Sequence, residues 1–363
     1  MKHITKLISL IVLLLSNSIA IQAADIITAE PIQVTPNDAT SKQYISICLD
    51  NTTGNLIGFQ MDITLPEGIS FFKNASGKVV PVKNSARLYN DEEEGITWSI
   101  TSKLDDEENR LRIVVNNNGN APILNNKGEL IKVRVIADAD AKGGNYICKV
   151  SNVNFSVKGM DEDLAVSDIN EVVRVKGIED ISLLIPEGGY ATLCLPYAAT
   201  LPTGLKAYKA TGIKDGMVVL EEQGKIAACT PLVIQGTAGT YNFSGDNSGA
   251  DEFEYSVGSL KSSLVPAECN QGYVLQNLAN GLGFYKIKNA LTVPAFRSVL
   301  EGTAVNFAPA FVPVGFDEDA TAISSVEAAM KNGSAVYTLD GKRVNTMEKG
   351  KIYIVGGVKM MVK

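Results

Sequence analysis

The sequence contains almost no histidine. Its single histidine, His3, lies in a segment, residues 1–23, with the composition of a secretory signal peptide. Two lysines come first, the apolar run Ile8–Leu15 follows, and small residues at Ala20 and Ala23 offer a cleavage site. Once this segment is removed, the chain has no imidazole, the commonest general base and metal ligand. Ser-His-Asp and Cys-His catalysis and His-ligated zinc are therefore excluded, and we expect a protein that binds rather than one that catalyses.

The sequence also lacks long apolar runs and an excess of positive charge. No apolar run approaches the roughly 20 residues that a membrane helix needs, so we expect no membrane span. Without residues 1–23 the chain has 31 basic and 40 acidic residues. Because this excess of negative charge repels phosphate backbones, nucleic acid is not expected as a partner. C-x-x-C pairs, phosphate-binding loops and calcium-binding loops are absent, which predicts no cofactor and no metal site.

Five cysteines remain after residues 1–23: Cys48, Cys148, Cys194, Cys229 and Cys269. An odd number leaves at least one of them unpaired. Two interpretations stay open at this point. The thiols are buried and free, behaving as small apolar side chains, or Cys48 and Cys148 form a disulfide bond within one domain.

Strand patterns dominate the chain. Phe59, Met61, Ile63 and Leu65 alternate with polar residues, and residues 44–49 and 96–101 show the same period of two. Such runs are typical of half-buried strands, and clusters of turn-forming residues separate them. The spacing predicts an all-β fold with two packed antiparallel sheets. Trp98, the only tryptophan, shares its face with Ile96 and Ile100, so we expect it in the core rather than on a sugar-binding surface.

Composition shifts divide the chain into four parts. We predict a signal peptide at 1–23, a β-sandwich at 25–176, a β module of unknown role at 178–315 and a C-terminal β unit at 323–363. An exposed acidic linker is expected at residues 317–319, and a short helix at residues 325–331.

Two turn-forming dipeptides and one faint internal repeat add detail to this domain division. Asp340-Gly341 and Gly356-Gly357 each lie between short apolar runs and predict hairpins. In the middle region, the motif from Ile226 to Ile234 is echoed 67 residues later by the motif from Val293 to Leu300. The two motifs match only at short stretches, so the echo alone is weak support for an internal duplication.

The first domain resembles the cohesin family. The resemblance lies in GNLIGFQMDITLPEGISF (54–71), LRIVVNNNGNAPI (111–123) and GELIKVRVIADADAKGGNYICKVSNVNFS (128–156), and it covers about residues 25–176. It implies a jelly-roll sandwich, shared with carbohydrate-binding modules, and a partner such as the calcium-loaded dockerin modules of polysaccharide-degrading assemblies. Dockerin-binding cohesins often have an acidic or amide pair on an early strand, where this chain has Gly58 and Gln60.

The C-terminal residues resemble the sorting domains of the type IX secretion pathway. AVYTLDGKRV (335–344) and KGKIYIVGGVKMMVK (349–363) carry this resemblance. It implies that the tail directs the protein through a type IX-like machinery to the outer cell surface, or into the medium, by way of the periplasm. YATLCLPYAATLP (190–202) and GFYKI (283–287) resemble uncharacterised β modules that precede such tails, which implies no activity.

The candidate ligand-binding residues are Gln60, Asp62 and Thr64, which alternate with the core residues of their strand and should reach solvent together. We expect a non-catalytic scaffold or adhesion protein that binds a dockerin-like module or a polysaccharide. The alternatives are a structural spacer and a glycoside hydrolase using Asp/Glu carboxylates. The acidic runs 91–94 and 105–108 have the composition of solvated loops rather than of a catalytic cleft.

Overall fold

The computed structural model describes residues 26–40, 42–51, 55–302, 309–316, 335–344, 346, 348–349, 351–355 and 358–361. The chain divides into two compact units, Met1–Gly177 and Ile178–Lys363. The predicted signal peptide, acidic linker, short helix and Gly356-Gly357 turn lie outside the described residues. None of the helices found in the described ranges has the length and apolar character needed to cross a membrane.

The first unit consists of strands. They are β1 Ile26–Ala29, β2 Ile32–Val34, β3 Tyr44–Asp50, β4 Leu56–Thr64, β5 Ile69–Phe71, β6 Val82–Lys83, β7 Trp98–Asp105, β8 Arg110–Asn117, β9 Lys127–Ala137, β10 Gly144–Val157, β11 Leu164–Val166 and β12 Ile169–Val175.

These strands form two sheets that enclose one core. The first sheet has the order β1-β3-β9-β5, with β6 also paired to β9. The second has the order β2-β12-β10-β4-β8-β7, with β11 also paired to β10. All pairs are antiparallel except β2 with β12, which is parallel. The predicted all-β jelly-roll sandwich is confirmed.

The core of the sandwich follows the predicted alternation. Phe59, Met61, Ile63 and Leu65 are buried, as are the apolar residues of β3. Trp98 is also buried, with 2% of its surface exposed. It is a packing residue, as its apolar strand face predicts.

Arg87 is an unexpected buried charge in this unit, with 2% of its surface exposed. It lies in the loop between β6 and β7 and has no carboxylate hydrogen-bond partner among the described residues. Its guanidinium instead donates five hydrogen bonds of 2.7–3.0 Å to the backbone carbonyls of Leu49, Leu124, Asn125 and Gly128 and to the Asn51 side chain. These bonds hold together the loop and the ends of β3 and β9.

All five cysteines are free thiols. The alternative of a Cys48–Cys148 bridge is therefore not what the structure contains. Cys48 alternates with the buried Ile47 and Leu49 on β3, whereas Cys148 is fully buried in the core from β10. The two side chains belong to different sheets, and only that of Cys148 points into the core.

The second unit is also built from strands. They are β13 Ile178–Ile185, β14 Tyr190–Leu193, β15 Lys206–Lys214, β16 Met217–Gln223, β17 Leu232–Gln235, β18 Gly239–Asp246, β19 Glu254–Val257, β20 Leu260–Ser263, β21 Ala267–Cys269, β22 Tyr273–Leu278, β23 Gly281–Lys286, β24 Leu291–Val293, β25 Arg297–Leu300 and β26 Phe311–Phe316, with a 3₁₀ helix at Asn247–Gly249.

A repeat of strand order runs through this unit. The largest sheet has the order β14-β17-β15-β16-β26-β23-β22-β25-β20-β19. Two sets of four strands in it share one arrangement: β14-β17-β15-β16 and β20-β25-β22-β23. In both sets the matching strands occur in the same order along the chain and pair antiparallel with the same neighbours. The bridge between Ala199 and Ile226 in one half corresponds to the β21–β24 pair in the other. The faint 67-residue echo falls on these equivalent strands, so it marks a repeated topology.

The C-terminal strands form a small sheet. They are β27 Val336–Thr338, β28 Arg343–Val344, β29 Ile352–Val355 and β30 Val358–Met361, in the order β28-β27-β29-β30. The Asp340-Gly341 hairpin is confirmed, because β27 pairs antiparallel with β28 and Gly341 has a φ of 81°. Antiparallel pairing of β29 with β30 confirms the second hairpin's strands.

Candidate functional site

The three predicted site residues lie on the outer face of the second sheet, the face turned away from the core. Gln60 and Thr64 are partly exposed there. Asp62 lies between them but has no exposed surface. The expectation that all three reach solvent together is therefore wrong for Asp62, although each of them is on the predicted face.

Asp62 is buried because polar side chains from the two neighbouring strands cover it. Arg112, directly opposite on β8, donates from Nε to Oδ1 and from Nη2 to Oδ2, both at 2.7 Å. Asn152 on β10 donates from Nδ2 to Oδ2 at 2.7 Å, and Arg110 Nη1 lies 3.5 Å from the same oxygen. Both carboxylate oxygens of Asp62 therefore accept hydrogen bonds, and the longer side chains that donate them cover it. The strongest of these contacts is the bidentate ion pair with Arg112.

A β-bulge brings Asn152 to this position. The register between β10 and β4 shifts between Ser151 and Asn154, and Asn152 has a φ of +51°. Asparagine tolerates this left-handed conformation better than most residues. The bulge turns the Asn152 amide toward the carboxylate of the adjacent strand.

The electrostatics of this pair keep both groups charged. The hydrogen bond from Arg112 is the main cause that lowers the pKa of Asp62, with Asn152 adding to it and burial opposing it. The same bond raises the pKa of Arg112. Arg112 nevertheless has 52% of its side chain exposed, and its Nη1 group has no hydrogen-bond partner among the described residues. One end of the guanidinium is fixed while the other faces solvent.

The surroundings of Arg112 combine charged, polar and apolar side chains. Lys103 lies opposite it on β7 and is exposed, and Lys149 of β10 is paired to Asp168 at 2.8 Å. Val114 and Ile147 add exposed apolar area, with 37% and 47% of their surfaces accessible. We call the following seven residues the outer face: Gln60, Thr64, Lys103, Arg112, Val114, Ile147 and Lys149. Their combination of apolar patches, an arginine and hydrogen-bonding groups is typical of protein interfaces.

The first acidic residue of each acidic run, 91–94 and 105–108, caps its own turn. Asp91 and Asp105 accept hydrogen bonds from backbone amides of their own turns. The backbone of Glu108 lowers the pKa of Asp105, the opposite of what a general acid needs. In the described part of the chain no three His, Cys, Asp or Glu side chains are arranged to hold a metal ion.

A separate open cleft of about 370 Å³ lies near the start of β5 and the β9–β10 connection. Glu67, Asp138, Asp140, Lys142 and Tyr146 line it. Asp138 accepts a 2.6 Å hydrogen bond from Ser70, and the Tyr146 hydroxyl donates to the Lys142 carbonyl. Neither the cleft nor the buried Asp62 cluster was indicated by sequence alternation, which assigns a residue to a face but does not show which side chains cover it.

No family model matches the chain, and no curated protein matches it. Solved structures do. A cohesin from Clostridium acetobutylicum (CaCohA2) covers 42% of this chain and 90% of its own, at 13% identity and a TM-score of 0.34. A type I cohesin–dockerin complex from Clostridium thermocellum (Coh-OlpA-Doc918) covers 42% and 99%, at 11% identity and a TM-score of 0.34. A non-cellulosomal cohesin from the archaeon Archaeoglobus fulgidus covers 42% and 91%, at 12% identity and a TM-score of 0.31.

Proposed function

We propose that the N-terminal sandwich is a non-catalytic binding module that docks a protein partner on its outer face. The observation that carries the proposal is the fixed arginine: Arg112 is held by two 2.7 Å bonds to the buried Asp62 and presents its free Nη1 group to solvent. An arginine that is already ordered loses less side-chain entropy when it binds. Arginine is also among the residues that most often dominate binding energy.

The charges of the outer face define the chemistry of the partner. Lys103 and Arg112 are opposite each other in the register, and Asp62 beneath them is neutralised by its own pairs. Asp62 in turn balances the charge of Arg112. Around the apolar Val114 the surface therefore presents the Nη1 donor of Arg112 and the charge of Lys103, which has no ion-pair partner among the described residues. It would fit a partner that offers carboxylates or backbone carbonyls around a small apolar contact, and the resemblance to cohesins makes a calcium-loaded dockerin-like module the first candidate. Polysaccharide is the second.

We also propose that the protein is exported and acts at the cell surface or in the medium, within a polysaccharide-degrading context. Residues 1–23 support export by their signal-peptide composition. The resemblance of residues 335–363 to type IX sorting domains supports passage across the outer membrane. In this proposal residues 178–315 connect the binding module to its sorting tail.

A panel experiment tests the binding proposal. The full mature chain is immobilised and exposed to calcium-loaded dockerin modules, to the same modules in EDTA, and to a glycan array. We expect saturable binding of a module that is lost in EDTA and weakened at least tenfold by Arg112→Ala. Lys127→Ala, on β9 of the first sheet and 81% exposed, is the matched control and should leave the affinity unchanged.

Three other results would reject the proposal. Binding to glycans alone would assign the polysaccharide alternative. Release of reducing sugar that depends on a single Asp or Glu would assign the hydrolase alternative. Absence of binding by every module and glycan would favour the structural spacer.

A further inference from the structure

Cys194 and Cys229 lie together in the second unit, although 35 positions separate them in the sequence. Cys194 directly follows β14, and Cys229 lies three residues before β17, the strand that pairs with β14. Both side chains contribute to one small apolar cluster around Ala250 and Leu264. The other three cysteines are not part of this cluster.

Backbone hydrogen bonds hold these two cysteines close together. The amide of Cys229 donates to the carbonyl of Leu195, the residue after Cys194, at 2.7 Å. The Cys229 Sγ atom lies 3.7 Å from the carbonyl oxygen of Pro196, so its side chain points toward the segment that holds Cys194. Leu193, which directly precedes Cys194, pairs antiparallel with Leu232, which lies three residues after Cys229. The β14–β17 pair therefore also joins the two segments.

The two thiols differ in accessibility. Cys194 is fully buried, whereas Cys229 is partly exposed. Burial is the main cause that raises the pKa of Cys194 to about 12; a hydrogen bond with the Ser262 side chain opposes the increase, and the nearby Cys229 thiol adds to it. An external reagent therefore reaches Cys229 first, with Cys194 available as the internal second thiol.

We propose that Cys194 and Cys229 are an oxidisable pair that forms an intramolecular disulfide when the protein meets a small disulfide such as oxidised glutathione. The Cys229 thiolate attacks one glutathione sulfur, the glutathione S–S bond breaks, and one glutathione thiolate leaves and takes up a proton. The Cys194 thiolate then attacks the Cys229 sulfur of the mixed disulfide and releases the second glutathione. Two protein thiols are oxidised to one disulfide, and one glutathione disulfide is reduced to two thiols.

The new bond would tie the end of β14 to the segment that enters β17. Because the reaction requires a Cys194 thiolate, its final step should become faster as the pH rises from 7 to 9. The bond closes a loop in the unfolded chain, so the oxidised protein should unfold at a higher temperature than the reduced one.

The sequence makes the test direct. The full chain is equilibrated with oxidised glutathione, its remaining thiols are blocked with iodoacetamide, and it is digested with trypsin without reduction. Tryptic peptides 177–206 and 226–261 each contain one cysteine, Cys194 and Cys229 respectively. We expect these two peptides to be joined, and the thiols titrated in denaturant to fall from five to three.

Two variants complete the design. Cys269→Ser is the control and should keep the cross-linked peptide, whereas Cys229→Ser should abolish it. A wild-type protein in which Cys229 carries glutathione while Cys194 is alkylated would overturn the proposal. So would cross-links that join Cys194 or Cys229 to other cysteines as often as to each other.

Discussion

Replacing Arg87 by methionine tests the buried charge that organises the first unit. Methionine matches the length of the aliphatic stem and removes every donor of the guanidinium. Five acceptors that now receive bonds of 2.7–3.0 Å would be left without them. Each unsatisfied buried acceptor costs about 1–3 kcal/mol. Removing the guanidinium also removes its own desolvation cost, which is evident in the lowered pKa of Arg87.

Only the bonds to Leu49 and Asn51 are buried, whereas the other three acceptors are partly buried and can be rehydrated. Two buried acceptors at about 1–3 kcal/mol each give a net loss for Arg87→Met of about 2–6 kcal/mol. In a unit of this size that corresponds to a decrease in Tm of roughly 10 °C. Trp98 is the only tryptophan and is buried in the same unit, so its fluorescence in a urea titration reports this unit alone.

Two comparison variants make the result specific. Arg87→Lys keeps the charge but loses the planar fork, so we expect most of the same loss. Lys103→Met removes an exposed charge from the same unit and should change stability by less than about 0.5 kcal/mol. If Arg87→Met and Lys103→Met unfold at the same urea concentration, the carbonyl cluster does not stabilise the sandwich.

Three further predictions concern the carboxylates and the tail. Asp62→Asn should lower the free energy of unfolding by about 1–3 kcal/mol at pH 7, because it places a neutral amide against Arg112. Since the pKa of Asp62 is lowered in the folded state, this difference between variant and wild type should disappear as the pH falls below about 4. An unchanged difference at pH 3 would contradict the prediction. Burial raises the pKa of Glu171 to about 7, so the stability of the wild type should fall as the pH rises from 4.5 to 7. Glu171→Gln should therefore raise the free energy of unfolding by about 1–2 kcal/mol at pH 8 but leave it unchanged at pH 4. Urea titrations at both pH values check this. Removal of residues 323–363 should leave the remainder folded but held in the periplasm of the native host, and a truncated protein found outside the cell at the full-length level would rule out a sorting role.

Local alternation was enough to predict much of the sandwich. The inward residues of β3 and β4 and the burial of Trp98 follow from a period of two, because each strand has one face on the core. The hairpin at Asp340-Gly341 follows from the need for positive φ in a tight turn. Each of these features depends on residues that are close together in the sequence.

The features that could not be predicted depend on distant residues. Asp62 is covered by Arg112, which is 50 positions away, and by Asn152, which is 90 positions away. Arg87 binds backbone carbonyls, which every residue has, so the sequence carries no sign of its partners. The repeated strand order of the second unit kept only short sequence matches at Leu232–Ile234 and Val299–Leu300, because many apolar sequences satisfy the same pairing.

Covalent labelling of lysines in the complex tests the central claim most directly. The full chain, with and without a bound calcium-loaded dockerin module, is acetylated briefly and the modified lysines are quantified by mass spectrometry. Lys103 and Lys149 on the outer face should be protected in the complex, whereas Lys127 on the first sheet should react equally in both samples. Protection of Lys127 with full reactivity of Lys103 and Lys149 would contradict the assignment of the outer face as the binding surface.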